Sequence, residues 1–299
     1  MQGYQEHHSH PAYLRKRKPH ISNSLPFYKA CAYYADVFGS LRTYVVVYKS
    51  ISSTKIAGIR YGITSHLPWE DVFELTEAIQ AADADLIITL GSFITDAVKL
   101  ARLFVPNNVS TLSGADKLFA KIRAGEFVEP ATIPVINVTT TLSRSEFTCA
   151  GGATDSKSGH KLVTMYKSMY ADVVILDPSL SGGTPRKVWL STGVRAIDHF
   201  IEGLYGNAAA LFINMHEKLG IEVDKDIENV IIRALGNLLT SLLSTKHNCD
   251  DENARLRAFM SVQECHRAGF KGIGASHGIG HQLSPLGVGH GETSFIILP

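Results

Sequence analysis

The sequence predicts an α/β domain followed by an all-helical domain. Three observations carry this reading. Short β-branched runs alternate with helical stripes through the first 180 residues, and Gly and Ser turns separate them. After Ser181 the strand signals stop, and only long helical stripes follow. A hydrophobic fraction of 45% with 19% charged residues supplies the apolar material for cores of this size. The organisation expected is a disordered basic tail over residues 1–20, an α/β domain over 21–180 and a helical domain over 181–299.

Each element has its own local cause. The opening residues, MQGYQEHHSHPAYLRKRKPH, are polar, His-rich and basic, and contain no apolar core of a secretory signal. Residues 26–38 (PFYKACAYYADVF) read as a helix closed by Gly39. Residues 43–48 (TYVVVY) form a β-branched and aromatic run, hence a buried strand. Pro68-Trp69-Glu70-Asp71 opens a helix with proline and acids in its first turn, and Val72, Leu75, Ile79 and Ala82 make its stripe. Residues 86–90 (LIITL) are a second buried strand, followed by Gly91-Ser92 and a helix over 95–103. Residues 134–138 and 173–176 are two more short strands. The stretch 49–58 is short, and a connecting helix is expected to be missing there. In the second half, Ile227, Val230, Ile231, Ala234, Leu235, Leu238 and Leu242 share one helical face. Leu256, Phe259, Met260 and Ala268 serve another helix, with Gly269 at its end.

Composition excludes several function classes. With 29 Lys+Arg against 28 Asp+Glu the net charge is +1, which argues against a nucleic-acid partner. No apolar run approaches the roughly 20 residues that cross a bilayer, so no membrane role is expected. Four separated cysteines form no metal knuckle or disulfide scaffold, and point to a reducing compartment. The cytoplasm is the expected location, with the mitochondrion as the alternative because of Arg15-Lys16-Arg17-Lys18.

Three clusters can carry chemistry. In Leu90-Gly91-Ser92-Phe93-Ile94-Thr95-Asp96, a strand runs through a small-residue turn into a helix, whose first N–H groups can hold a phosphate. Thr139, Thr140, Thr141, Ser143 and Ser145 place five hydroxyls within nine residues at the carboxyl end of a strand, where open parallel sheets bind ligands. A Ser/Thr turn satisfying its own backbone is the other reading of that segment. The third cluster is a constellation of imidazoles. Arg195, His199 and Glu202 share a helix face, His277 and His281 are spaced i, i+4, and His290 follows between glycines. Such imidazoles bind a divalent metal, and one more can shuttle a proton.

These motifs together resemble the group III, or iron-containing, alcohol dehydrogenases. The resemblance rests on Thr139, Thr140, Ser145 and Glu146, on the spacing from Lys161 to Asp177-Pro178, and on the helix with Thr192, Gly193, Ala196, His199 and Glu202. It ends with His277, His281, His290 and Gly291. It covers the chain from about Lys18 onward, and its texture is similar to the fungal branch near the maleylacetate reductases. The resemblance implies a dinucleotide-binding α/β domain, a helical C-terminal domain and an active site in the cleft between them. It implies NAD- or NADP-dependent hydride transfer between an alcohol and a carbonyl. Gly91, Ser92, Asp96, Thr139, Thr140, Ser145 and Lys161 would bind the cofactor. His199, His277 and His290 would hold iron or zinc, and His281 would relay a proton.

The chain departs from that pattern at four places. Arg195 stands where the family's metal-binding helix has an aspartate ligand, and a guanidinium has no lone pair to give. It would instead clamp a substrate carboxylate or polarise the carbonyl. Phe93 follows Gly91-Ser92 where further glycine is usual, the 49–58 segment is short, and the chain stops at an apolar Ile-Ile-Leu-Pro, as if truncated. The expected function is an NAD(P)-dependent carbonyl reductase or alcohol dehydrogenase, maleylacetate-reductase-like on a carboxylated small molecule, in a homodimer. The alternatives are an inactive truncated remnant of that family and a lyase of the dehydroquinate-synthase kind.

Overall fold

The computed structural model describes residues 19–47, 56–64, 67–91, 94–205, 226–268, 274–283, 288 and 292–297. The chain divides into two compact units. Met1–Thr139 with Ser145–Leu176 make the first, and Thr140–Arg144 with Asp177–Pro299 make the second. Residues 1–18 of the expected tail lie outside the described residues, whereas His20 already belongs to the sheet.

The first unit is built on a six-stranded, wholly parallel sheet. Its strands are β1 (His20–Ser22), β2 (Thr43–Val47), β3 (Ile56–Tyr61), β4 (Leu86–Leu90), β5 (Val135–Val138) and β8 (Val173–Ile175), in the order β1-β8-β5-β4-β2-β3. The four strands legible in the sequence, β2, β4, β5 and β8, are the inner ones. Parallel strands buried on both faces read as continuous apolar runs, as Val45, Val46, Leu86, Ile87, Ile136, Val138, Val173 and Val174 do here. The stretch 49–58 leads into β3, which lies beside β2 at the sheet edge and had no apolar signature. A separate antiparallel ribbon pairs β6 (Ala150–Thr154) with β7 (Lys161–Met165).

Helices α1 (Phe27–Val37), α2 (Trp69–Ala81), α3 (Thr95–Asn107) and α4 (Leu112–Ala124) complete this unit. The α3 helix is its centre. Ala97, Val98, Leu100, Ala101, Leu103 and Phe104 are all buried, and so are Lys99 and Arg102. Trp69 of α2 stacks on Phe104 at 6.1 Å between ring centroids and tilts against Phe119 of α4 at 5.9 Å. Each such ring contributes about 1.5–3 kcal/mol through burial. Arg102 locks α3 to the sheet by donating to Ile133 O at 2.7 Å and to Tyr170 O at 3.1 Å. The α4 helix was not expected from the sequence. Its ends are conventional, with the Thr111 hydroxyl accepting from Gly114 N and Gly125 at φ +74° closing it.

The second unit is helical, with α5 (Pro178–Ser181), α6 (Arg186–Tyr205), α7 (Ile227–His247), α8 (Glu252–Ala268), α9 (Ala275–Leu283) and α10 (Thr293–Ile297) among the described residues. Asp177 caps α5 by accepting from Ser179 N and Leu180 N. The expected stripe of α7 is buried, including Ile231, Ala234 and Leu238 at 0% exposure. Gly193 lets α6 and α7 approach closely, because a Cβ there would stand 2.5 Å from Leu242 Cδ2. At the core, Trp189 donates to Thr245 Oγ1 at 3.0 Å, and Arg255 lies 4.4 Å above the indole. Among the described residues no helix is long and apolar enough to cross a membrane.

Candidate active site

In the first unit Gly91 and Thr139 lie at the carboxyl ends of β4 and β5, with Asp96 and Ser145 on the segments that follow, whereas Thr140 is counted with the second unit. Residues 56–61 lie on one side of β2 and residues 86–90 on the other, so the chain reverses its direction of travel between β2 and β4. Such a switch point is where an open parallel sheet accepts a ligand. Gly91 ends β4 with φ +115°, a conformation that favours glycine, and its N–H donates to Val138 O of β5 at 3.2 Å. Beside it, Thr139 ends β5 and is 1% exposed. Its Oγ1 is buried and has no hydrogen-bond partner among the described residues. A buried hydroxyl in that state needs an explanation, and a bound ligand is one.

Asp96 and Ser145, 49 residues apart, are brought together, with the Ser145 hydroxyl donating to Asp96 Oδ1. The group that assembles them is Lys99, to which the sequence reading gave no role. Its Nζ donates to Ser145 O at 2.6 Å, Ser145 Oγ at 3.0 Å, Thr148 Oγ1 at 3.0 Å and Ala150 O at 2.8 Å. It also lies 3.5 Å from Asp96 Oδ1. Burial pulls the Lys99 ammonium below the usual lysine range, and the Asp96 carboxylate pulls the other way. The i, i+3 spacing of Asp96 and Lys99 was the available signal. Glu146 is fully buried on the same turn, while Asn137 holds the turn's backbone by donating to Glu146 O at 3.5 Å. Lys161 sits apart from these groups in the pairing scheme, on the ribbon opposite Thr154. Ser92 lies outside the described residues.

In the second unit, α6 carries a buried charged face. Arg195 is 1% exposed, Asp198 1% and His199 4%. Arg195 Nη1 donates to Thr293 Oγ1 at 2.8 Å and to Ser294 Oγ at 3.2 Å. The Ser294 hydroxyl donates in turn to Asp198 Oδ2 at 2.7 Å, and Ser276 Oγ lies 2.6 Å from both Asp198 oxygens. Burial lowers the Arg195 pKa, while the neighbouring carboxylates of Asp198 and Glu202 favour its charged form. Arg144 is a second cation of this group that the sequence reading passed over. It belongs to the short loop Thr140–Arg144, which is held on the helical unit by Thr184 Oγ1 donating to Thr140 O at 2.8 Å and by Leu142 N donating to Thr192 Oγ1 at 3.2 Å. Its backbone is left-handed, with φ +71°. Burial again lowers its pKa, against the pull of Cys265 and Glu202.

His277 and His281 are both on α9, so their i, i+4 spacing is helical. His290 lies outside the described residues. Of the expected metal ligands only the His199 side chain is among those described. One helical turn before His199 stands a permanent cation, Arg195, and the nearby Asp198 oxygens are engaged by two serine hydroxyls. Among the described residues no three His, Cys, Asp or Glu side chains form a group able to hold a metal.

Comparison with known proteins agrees with this architecture. The family described as iron-containing alcohol dehydrogenase matches residues 33–178. The chain is 71% identical over 277 residues to dehydrogenase ALT3 of Alternaria alternata, covering 88% of this chain and 72% of that protein. It is 48% identical over 318 aligned positions to dehydrogenase FUM7 of Gibberella moniliformis, covering 98% and 74%. Among solved structures, sulfoacetaldehyde reductase from Bifidobacterium kashiwanohense in complex with NAD+ superposes with a TM-score of 0.75 at 18% identity, covering 98% of this chain and 74% of that one. The chain belongs to the iron-containing alcohol dehydrogenase superfamily and is an oxidoreductase of that type.

Proposed function

We propose that this chain is an NAD- or NADP-dependent reductase of a small carbonyl compound, working in reverse as an alcohol dehydrogenase. The observation that carries the reading is the buried Thr139 hydroxyl beside Gly91 at the sheet's switch point, which has no hydrogen-bond partner among the described residues. Gly91 and the start of α3, with Asp96, would receive the pyrophosphate. Thr139, Thr140 and Ser145 would line the nicotinamide side, and Lys161 would reach a ribose. When bound, the nicotinamide supplies or accepts the hydride.

The chain's own residues do the rest. Lys99 holds Ser145 and Asp96 in place before any ligand arrives, so ordering them costs little at binding. His281 is the proposed proton relay to the carbonyl oxygen. A substrate carrying a carboxylate, such as a maleylacetate-like oxoacid, is the proposed class, with the Arg195 guanidinium as its candidate partner. A homodimer in the cytoplasm is the proposed setting, with the mitochondrion as the alternative.

The test is to follow NADH and NADPH oxidation with a panel of aldehydes, ketones and oxoacids. Turnover with one cofactor, faster for carboxylated carbonyls, is the expected result. No oxidation of either cofactor with any member of the panel would overturn the reading.

A further inference from the structure

The family's description calls for iron, yet the helix that should present the metal carries a guanidinium at its buried centre. Its surroundings are those of a cation site already filled. Arg195 Nη1 is held by two hydroxyls, Thr293 Oγ1 at 2.8 Å and Ser294 Oγ at 3.2 Å. Ser294 passes a hydrogen bond on to Asp198 Oδ2 at 2.7 Å. That relay joins the cation to a carboxylate that is itself 1% exposed. A second carboxylate, Glu202, is 8% exposed and interacts with both Arg195 and Arg144. Gly280 of α9 makes room for this arrangement, because a Cβ there would stand 3.3 Å from Arg195 Nη1.

The place of Arg195 on its helix decides between a guanidinium alone and a guanidinium beside a metal. Arg195 stands one helical turn before His199 on the same face of α6, and both are buried. A divalent ion held by His199 would therefore lie beside a permanent buried cation. Like charges repel strongly there, because little water screens them.

We propose that Arg195 is a resident cation that takes the place of the metal ion, and that this chain binds no divalent metal at the His199 face of α6. The positive charge is then tethered covalently to the helix, and it neither dissociates nor varies with metal supply. The proposal deepens the functional reading above and rests on it, but its test reads metal binding and not turnover, so the two can fail separately.

The experiment uses full-length, tag-free protein in which His7, His8 and His10 are changed to Ala, so that imidazoles of the N-terminal stretch do not contribute. The protein is dialysed against Zn2+ or Fe2+ and then against metal-free buffer. Metal content is measured by elemental analysis, and Tm is measured with each ion and with a chelator. The expected result is substoichiometric metal and a Tm that neither ion nor chelator moves. One equivalent of metal retained per chain, or a Tm raised by Zn2+ or lowered by the chelator, would overturn the proposal. A second arm uses Arg195→Asp in the same background. A folded variant whose Tm rises with Zn2+ supports Arg195 as the residue that excludes the metal. A folded variant indifferent to Zn2+ contradicts it. If the variant does not fold, the parent protein's metal content decides.

Discussion

Arg195 and Thr293 are 98 residues apart in the chain, and the guanidinium of one donates to the hydroxyl of the other at 2.8 Å. This contact ties the middle of α6 to α10, the last described helix, and fixes the direction of a charge with almost no solvent exposure. Removing one partner of a buried charged group leaves the others uncompensated. Arg195→Met is therefore expected to destabilise the helical unit by about 3–5 kcal/mol, read from urea unfolding. A loss under about 1 kcal/mol would mean that the guanidinium is not integrated with Asp198 and Glu202 as described.

Lys99 makes a second prediction, in the other unit. Its ammonium meets two carbonyl oxygens, two hydroxyls and the Asp96 carboxylate, with 2% of its side chain exposed. Lys99→Met keeps most of the volume and strands those acceptors, so a cost of about 2–4 kcal/mol is expected. The same variant should weaken nicotinamide-cofactor binding, because Ser145 and Asp96 lose the group that assembles them. Lost stability with undiminished binding would assign Lys99 a purely structural role.

Thr139→Val separates binding from folding. The hydroxyl has no partner among the described residues, so its loss should leave stability within about 0.5 kcal/mol or raise it. Cofactor affinity should fall several-fold if the hydroxyl is a cofactor contact. Measurement of Tm alongside a cofactor titration checks both halves. A clear drop in Tm would show that Thr139 serves the fold.

Cys265 sets an alkaline limit. Its thiol is fully buried, and burial pushes its pKa from the model-compound value of 9.0 up to about 12. The folded value is higher than the unfolded one, so this contribution is complete below pH 9 and is lost as pH rises toward 12. Stability should fall by about 1.4 kcal/mol per pH unit through that window from this group alone. Cys265→Ala should flatten the slope, as followed by urea midpoints between pH 8 and pH 11. An unchanged slope would place the alkaline titration elsewhere.

How much of this was legible in the sequence depended on packing. The strands β2, β4, β5 and β8 announced themselves because both their faces are buried, which demands unbroken apolar runs. The edge strand β3 (IAGIRY) is half-exposed and contains a glycine, and β6 (AGGAT) is built on two of them, so neither has the signature. The helix stripes of α2 and α7 were readable from period alone. The hydroxyl cluster was legible as a segment at the carboxyl end of a strand, β5. That Lys99 would reach Ser145, 46 residues away, was not, because such a bond exists only once α3 packs beneath the turn. Arg195 stood out in the sequence through the aspartate it replaces. Its hydroxyl partners did not, since Thr293 and Ser294 lie in a five-residue helix with no pattern of its own.

The central claim is that the carboxyl ends of β4 and β5 receive a nicotinamide nucleotide. It is tested most directly by titrating the purified protein with NADH and NADPH and following cofactor fluorescence, with Gly91→Ala in parallel. A saturable signal for one cofactor is predicted, and it should weaken in the variant, where the positive φ of +115° disfavours a Cβ. No saturable signal up to millimolar cofactor, or equal affinity in the two proteins, would contradict it.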